Sequence, residues 1–346
     1  MAKPGIVVLY QADDVNLLPA GERRRRNQHW TRRRKPRRER RAVADRDQVL
    51  QALVAKGFDA RLFELRNEAS LIELSRAKAD LFFNMVESFG GDDTREPHVA
   101  AFLELFDKRY TGSPPQAMQL AQDKAVAKKI FGFHGIHTPR FAVSVRGRPL
   151  DVGHLELPLI VKPVSEDGSV GIDKDAVVKT VGELLARISY VHGKFDCPAL
   201  VEEYIEGREI YAAVMGNERP AALPLVEIDL SRLPEGMPRI AGAEVKWEKG
   251  SPAYEATRSA AARGLDADTT RRLQQTAVRV YGALGLRDYG RVDMRLCSDG
   301  RIYVIEANPN PWLAQEAELA IAASLAGRSY PDLLSEIVDL ALSRYS

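Results

Sequence analysis

Residues 289–308 hold the pattern that most constrains the fold of this chain. Tyr289–Leu296 alternates strictly, so Arg291, Asp293 and Arg295 share one face of a strand while Val292, Met294 and Leu296 take the other. Ser298-Asp299-Gly300-Arg301 follows, and its Asp-Gly pair predicts a two-residue hairpin turn. A turn of that length places Asp293 opposite Glu306 and Arg291 opposite Asn308. Asn308-Pro309-Asn310-Pro311 then ends the second strand, because proline has no N–H to give to a ladder.

Two carboxylates facing each other across a sheet repel, and a cation between them removes the penalty. Asp293, Glu306 and Asn308 offer oxygen donors, with no thiol or imidazole nearby. That donor set suits Mg2+, completed by water and phosphate oxygens, and also admits Mn2+. Arg291 beside them is placed to neutralise charge that develops during group transfer. The plainer alternative is a solvated face on which Arg291 and Arg295 screen two acids.

The rest of the chain reads as alternating helices and strands. Gly5–Tyr10 is a buried strand, Asp45–Gly57 a helix, Ala60–Leu65 a strand, Ser70–Lys78 a helix, and Leu81–Asn84 an apolar strand. That order predicts an α/β unit with a mostly parallel sheet. Val99–Phe106 and Gln116–Phe131 read as helices, the second ending near Gly135. Phe141–Val145, Leu159–Val161 and Leu200–Ile205 read as strands. Glu209–Met215 and Ala222–Val226 form a hairpin around Gly216-Asn217. Asp229–Arg263 is polar and irregular, without a clear core, and has room to include a mobile flap. Thr269–Leu284 is the clearest helix, with Leu273, Ala277, Val280, Tyr281 and Leu284 on one face, and Leu333–Leu342 is a closing helix.

A length of 346 residues suggests more than one domain. No apolar run is long enough to cross a bilayer, and no secretory signal is evident, so a cytoplasmic location is expected. Cys197 and Cys297 are too far apart for a ligand-like spacing, which argues against a disulfide framework.

Several separated motifs together resemble the D-alanine–D-alanine ligase branch of the ATP-grasp superfamily. These are Lys162-Pro163 with Gly168-Ser169-Val170-Gly171, the run Val201–Glu209, Arg291-Val292-Asp293, and Ile305–Pro311. They occur in the family's order over about residues 80–345. The resemblance implies α/β and α+β architecture. An N-terminal Rossmann-like domain (1–115) would precede a central α+β domain (116–198) and a C-terminal catalytic domain (199–346), with ATP between the last two.

It further implies that Lys124 and Lys162 contact ATP, that Gly168 and Ser169 cover phosphates through backbone amides, and that Glu202, Glu203 and Ile205 hold adenine. Glu209 would hold the ribose hydroxyls, and Lys246 would reach the terminal phosphate from the flap. Read without the family, Lys124 is a solvated helical lysine and the glycine loop a turn. The implied reaction joins a small-molecule carboxylate to an amine through an acylphosphate, releasing ADP and phosphate. An ATP-grasp enzyme with a hydroxyl acceptor, and a regulator that binds Mg–ATP without ligation, are the alternatives. A homodimer is a reasonable assembly for such a chain.

The sequence departs from the family where the acceptor would sit. The Ser-Ala-Glu motif expected after the first strand is missing from Gln11–Ala20. In place of a glycine and a serine-rich stretch stands Pro311-Trp312-Leu313-Ala314-Gln315-Glu316-Ala317-Glu318. An acceptor carboxylate would meet like charge there, so an amine without a nearby carboxylate is expected. Trp312 and Glu87, the latter in the loop Glu87–Asp93, are candidate substrate contacts.

The net charge of +2 hides an asymmetry: residues 22–41 hold twelve Arg/Lys and two Glu, leaving the remainder at a net −8. Arg23–Arg41, with His29 and Trp30 interleaved, reads first as a solvated insertion after the first strand, through which Pro36 would break a helix. Attachment to nucleic acid or another anionic partner is the alternative.

Overall fold

The computed structural model describes residues 3–11, 36–166, 168–246, 248 and 250–346, with side chains of the first helix described from Asp45. Residues 22–35 of the basic segment therefore lie outside the described residues, as do 12–20 and Trp247.

The N-terminal unit is a three-stranded parallel sheet in the order β2-β1-β3, made of β1 (Gly5–Gln11), β2 (Asp59–Leu65) and β3 (Leu81–Asn84). Helix α1 runs from Pro36 to Ala55, beginning well before the expected Asp45. Pro36 is the first described residue of this helix, a position where the helical N–H has no intrahelical partner to lose. Helix α2 (Glu68–Arg76) starts on a capping box between Asn67 and Ser70. Helix α3 (Glu96–Leu105) carries the chain out of the Glu87–Asp93 loop.

The single helix expected over Gln116–Phe131 is two, α4 (Pro115–Gln122) and α5 (Lys124–Phe133). Asp123 takes an extended conformation and its carboxylate accepts from the amides of Ala125 and Val126, so it caps the second helix. Lys124 is thereby placed on the first turn of α5, close to the central sheet.

That sheet has four antiparallel strands in the order β4-β7-β5-β6: β4 (Phe141–Ser144), β5 (Leu159–Pro163), β6 (Val177–Val178) and β7 (Ala199–Glu203). The boundary drawn from the sequence at 198 runs through it. Helix α6 (Val181–Phe195), which the sequence reading did not single out, covers one side with Leu184, Ile188, Val191 and Phe195.

A six-stranded sheet forms the C-terminal part, in the order β11-β10-β8-β12-β13 with β9 paired to β8. Its strands are β8 (Arg208–Met215), β9 (Ala221–Ala222), β10 (Val226–Ile228), β11 (Ser259–Ala261), β12 (Tyr289–Leu296) and β13 (Ile302–Asn308). The expected hairpin around Gly216 exists, but its second arm is only β9, and Val226 belongs to the separate β10.

The stretch 229–263 is less bare than its polarity suggests. It forms α7 (Ala243–Lys246), α8 (Pro252–Ala256) and β11, and it buries Leu230, Leu233, Ile240, Val245 and Ala253. Its apolar residues are scattered through polar sequence, so no periodicity announces them. Helix α9 (Ala267–Leu284) buries the expected face in full: Leu273, Ala277, Val280, Tyr281 and Leu284. At about 1.5–3 kcal/mol per large side chain, that face alone fixes the helix on the sheet.

Helices α10 (Glu318–Leu325) and α11 (Tyr330–Ser343) close the chain. Arg344, just past α11, makes two bonds of 2.8 Å to Asp288, which also accepts from the amide of Gly112 at 2.8 Å. One apolar cluster joins Ile6, Val8, Val49 and Leu53 to Leu333, Ile337 and Val338. The N-terminal sheet is thus held against the start of β12. Among the described residues no helix is long and apolar enough to cross a membrane, and both cysteines are free.

Candidate active site

Strand β12 pairs on one side with β8 and on the other with β13. Asp293 lies opposite Glu306 and Arg291 opposite Asn308, as expected, but the route to that register is different. Cys297 and Arg301 pair through a 2.9 Å hydrogen bond, leaving a three-residue loop, Ser298–Gly300, with Gly300 at φ +82°. That is a turn with its glycine in the left-handed position, one residue longer than the two-residue form. The slip is reversed by a bulge: Met294 faces Val304 while Asp293 faces Glu306, so Ile305 is the extra residue. Val304 and Ala307, three apart, therefore both point to the core cluster under α9, and Glu306 and Asn308 join the polar face.

On that face Arg291 binds Asp293 through two bonds, 2.7 and 2.9 Å, and reaches Glu318 of α10 at 3.2 Å. Its guanidinium also lies 5.1 Å from the ring centre of Tyr211. Arg295 binds Glu209 at 2.6 Å and the carbonyl of Arg239 at 2.7 Å, and Tyr211 donates to the other Glu209 oxygen at 2.9 Å. Glu306 faces Lys124, whose Nζ is 3.6 Å away, and Lys124 also donates to the carbonyl of Glu166.

The two facing carboxylates are pushed in opposite directions. Burial raises Asp293, and the pull of Arg291 only partly offsets it. Burial also raises Glu306, but Lys124, Lys246, Lys162 and Arg291 together more than reverse this and hold it low. Asn308 is 7% exposed and its amide nitrogen has no partner among the described residues. Two carboxylates and a side-chain amide on one face form the sparse oxygen set that Mg2+ accepts when phosphates and water complete its shell. Among the described residues there is no cluster of three or more His, Cys, Asp or Glu placed to hold a metal ion.

Lys162, next to last in β5, is 3% exposed and paired with Glu202 of β7. Glu202 is 1% exposed and is also held by Lys128 at 2.9 Å, so its carboxylate is engaged by two lysines. Glu203 points elsewhere, to Arg140 at 2.6 Å. Ile205 follows β7 and lines the same crevice as Glu209 and Lys162. Ser169 takes φ +62° and its hydroxyl donates to the carbonyl of Ala241 at 2.7 Å. At Gly171, φ is +74° and a Cβ would lie 2.7 Å from Pro163 and Phe195, so only glycine lets this loop pass. Lys246 ends α7, with its Nζ 5.7 Å from the centre of the Tyr211 ring.

Two spaces meet at Glu306 and Lys246. The crevice of about 60 Å3 includes Lys162, Ser169, Glu202, Ile205, Glu209 and Asp293. The cavity of about 780 Å3 includes Glu87, Lys124, Gly168, Arg291, Asn308 and Trp312. Every expected site residue thus borders one of the two. Trp312 donates its indole N–H to Asp45 of α1, and Gln315 donates its amide to Gln48 at 2.9 Å, which ties the loop after β13 to the N-terminal unit. The Glu87 amide donates to Gln11 at 3.1 Å.

Lys128, Arg239 and Tyr211 were not singled out from sequence. Lys128 alone carried a signal, lying four residues after Lys124 on the same helical face.

Known proteins match this architecture. The family model described as D-ala D-ala ligase C-terminus matches residues 150–339. A D-alanine–D-alanine ligase of Bordetella petrii is 35% identical over 296 residues, covering 85% of each chain. An uncharacterized protein of Sinorhizobium fredii is 34% identical over 266 residues, covering 77% of this chain and 75% of its own. The crystal structure of the Bacillus anthracis D-alanine–D-alanine ligase complexed with ATP superposes with a TM-score of 0.75 at 22% identity, covering 99% of this chain and 98% of that one. With sequence motifs, a family model across more than half the chain and the fold in agreement, the chain belongs to the D-alanine–D-alanine ligase family of ATP-grasp ligases, ADP-forming enzymes that make C–N bonds.

Proposed function

We propose that this protein is an ATP- and Mg2+-dependent ligase that converts a carboxylate to an acylphosphate and passes the acyl group to an amine carrying no carboxylate of its own near the reacting nitrogen. A carboxylate oxygen attacks the γ-phosphorus in line and ADP leaves. The amine nitrogen then attacks the acyl carbon, inorganic phosphate leaves, and the nitrogen loses a proton. No enzyme nucleophile takes part, so the work of the protein is positioning and charge neutralisation.

In this reading Lys124, Lys162 and Lys246 hold phosphate oxygens, with the backbone of Gly168 and Ser169 above them. Glu202, Glu203 and Ile205 border the adenine, and Glu209 takes the ribose hydroxyls once Arg295 and Tyr211 share it. Arg291, held between Asp293 and Glu318, faces the transferring group. Asp293, Glu306 and Asn308 would hold Mg2+, which supplies charge neutralisation at the phosphates.

The observation that carries the acceptor assignment is the charge of the larger cavity. Among the described residues its lining has nine Asp/Glu against five Lys/Arg. Glu316 and Glu318 belong to it on the acceptor side, next to Trp312. A surface with that excess attracts a protonated amine, admits a neutral one and repels an acceptor carboxylate.

The test is ADP release on a panel of carboxylates and amines, with products identified by mass. Turnover is expected with amines that lack a carboxylate and not with D-alanine alone. Efficient D-alanine-dependent ADP release with D-alanyl-D-alanine as product would overturn the acceptor assignment.

A further inference from the structure

At the small crevice lies a buried charge group in which one member, Lys128, has no part in the reaction scheme. Lys128 of α5, Lys162 of β5 and Glu202 of β7 are 1%, 3% and 1% exposed, so two lysines and one glutamate sit together out of solvent. Each carboxylate oxygen of Glu202 has its own cation: Oε1 meets Lys162 and Oε2 meets Lys128 at 2.9 Å. Lys128 is further fixed by the Thr138 hydroxyl at 2.7 Å, which donates onward to the carbonyl of Val304 at 2.9 Å. Lys162 borders the crevice, whereas Lys128 does not.

The arrangement poses a problem of exchange. A nucleotide entering the crevice needs Lys162, and Lys162 is bound to Glu202. If it left a carboxylate with no other partner, a buried charge would be stranded, which is among the costliest changes a protein interior can undergo. Lys128 removes that cost, because Glu202 keeps one cation when the other turns to the ligand. A second ammonium beside the first also disfavours full retention of both, since like charges in a low-dielectric interior repel.

We propose that Lys128 is a positioning residue of the nucleotide site: it retains Glu202 so that Lys162 is free to change partner from Glu202 to ATP. This rests on the reading of the crevice as the nucleotide site, and it adds a residue that touches neither substrate nor metal. Lys128 acts through Glu202 and Lys162 alone.

The test is ATP binding by calorimetry to the full chain, with a double-mutant cycle. Lys128→Met keeps the length of the side chain and removes its charge. It should pin Lys162 to Glu202 and weaken ATP binding at least about 10-fold, while Lys128→Arg retains most of the affinity. Glu202→Gln in the Lys128→Met background removes the charge that pins Lys162, so the double variant should bind ATP more tightly than Lys128→Met alone. A residue that serves only folding would not produce that reversal.

Should Lys128→Met not fold, Thr138→Val removes one of the two bonds that fix Lys128, and a several-fold loss of ATP affinity is expected. ATP affinity within two-fold of wild type in Lys128→Met, additive effects in the cycle, or an unchanged Thr138→Val would each overturn the proposal. Wild-type protein that binds ATP but forms no amide would sink the proposed reaction while leaving this test intact. Wild-type protein that does not bind ATP would overturn both.

Discussion

In the crevice of about 60 Å3, Glu202, Glu209 and Asp293 each have a lysine or arginine within bonding reach. In the cavity of about 780 Å3, nine carboxylates and five cations line the wall among the described residues, and Glu306 and Glu318 are paired with Lys124 and Arg291. The crevice is built from strands and closed by the contact of Ser169 with Ala241. The cavity is walled largely by loops and helix ends, including Trp312–Glu318 and Glu87–Asp93. A charge pair across a ladder is fixed by register, so it serves a ligand of constant shape such as a nucleotide. A loop wall can change its charge without disturbing a ladder, so its charge can vary independently of the strand-built crevice.

Three variants sharpen that contrast. The largest effect is expected from Asp293→Ala on the crevice side. It removes one oxygen donor from the proposed Mg2+ set and the two-bond partner of Arg291, so turnover should fall on the order of 10²–10³-fold. Breaking a buried ion pair also costs about 3–5 kcal/mol of stability, read as a lower denaturation midpoint. Retention of full turnover by this variant would contradict the assignment of the β12–β13 face.

A smaller change is expected on the cavity side. Glu316→Lys replaces an acceptor-side acid by a cation and should shift the preference toward amines that bear a carboxylate, by about 10-fold in the ratio of kcat/KM values. ATP affinity should not move. If ATP affinity changes and acceptor preference does not, the division between the two spaces is wrong.

The subtlest expectation concerns acid stability. Burial raises Glu202, but Lys128 and Lys162 outweigh it, so its folded-state pKa lies below the ordinary 4.5. The unfolded chain then binds the extra proton first as pH falls, and the stability that this group contributes is present above about pH 4.5 and lost below it. Glu202→Gln should be less stable than wild type at neutral pH by a few kcal/mol, about the scale for removing one member of a buried pair. The gap between the two proteins should narrow below pH 4.5, as measured by chemical denaturation. A constant gap from pH 7 to pH 3 would show that the lysines do not hold Glu202 ionised.

Much of the crevice was legible from sequence because its residues come from short, strongly patterned runs. The alternation of Tyr289–Leu296 gave the polar face, and the spacing of Leu273, Ala277, Val280, Tyr281 and Leu284 gave the helix behind it. The facing of Asp293 and Glu306 was expected on an incomplete basis. A longer turn and a bulge at Ile305 shift the register by one residue each in opposite senses, and neither was visible in the hydrophobic pattern. The split of α4 from α5 escaped notice because Asp123 sits inside an otherwise continuous helical period, and only its carboxylate capping the next two amides reveals the break.

What the sequence determined by itself was local and periodic: most strands of the three sheets, though not β6 or β11, several of the helices, though not α6 or α10, and a polar face rich in oxygen donors. Tertiary structure alone decided the charge partners. Lys128, Lys162 and Glu202 come from an α-helix and two strands separated by dozens of residues, and Arg295 meets Glu209 only because β12 lies beside β8. Periodicity fixes which face a side chain takes. Which charge it meets there depends on how distant segments pack, and a buried carboxylate is stable only after that packing has supplied its cation.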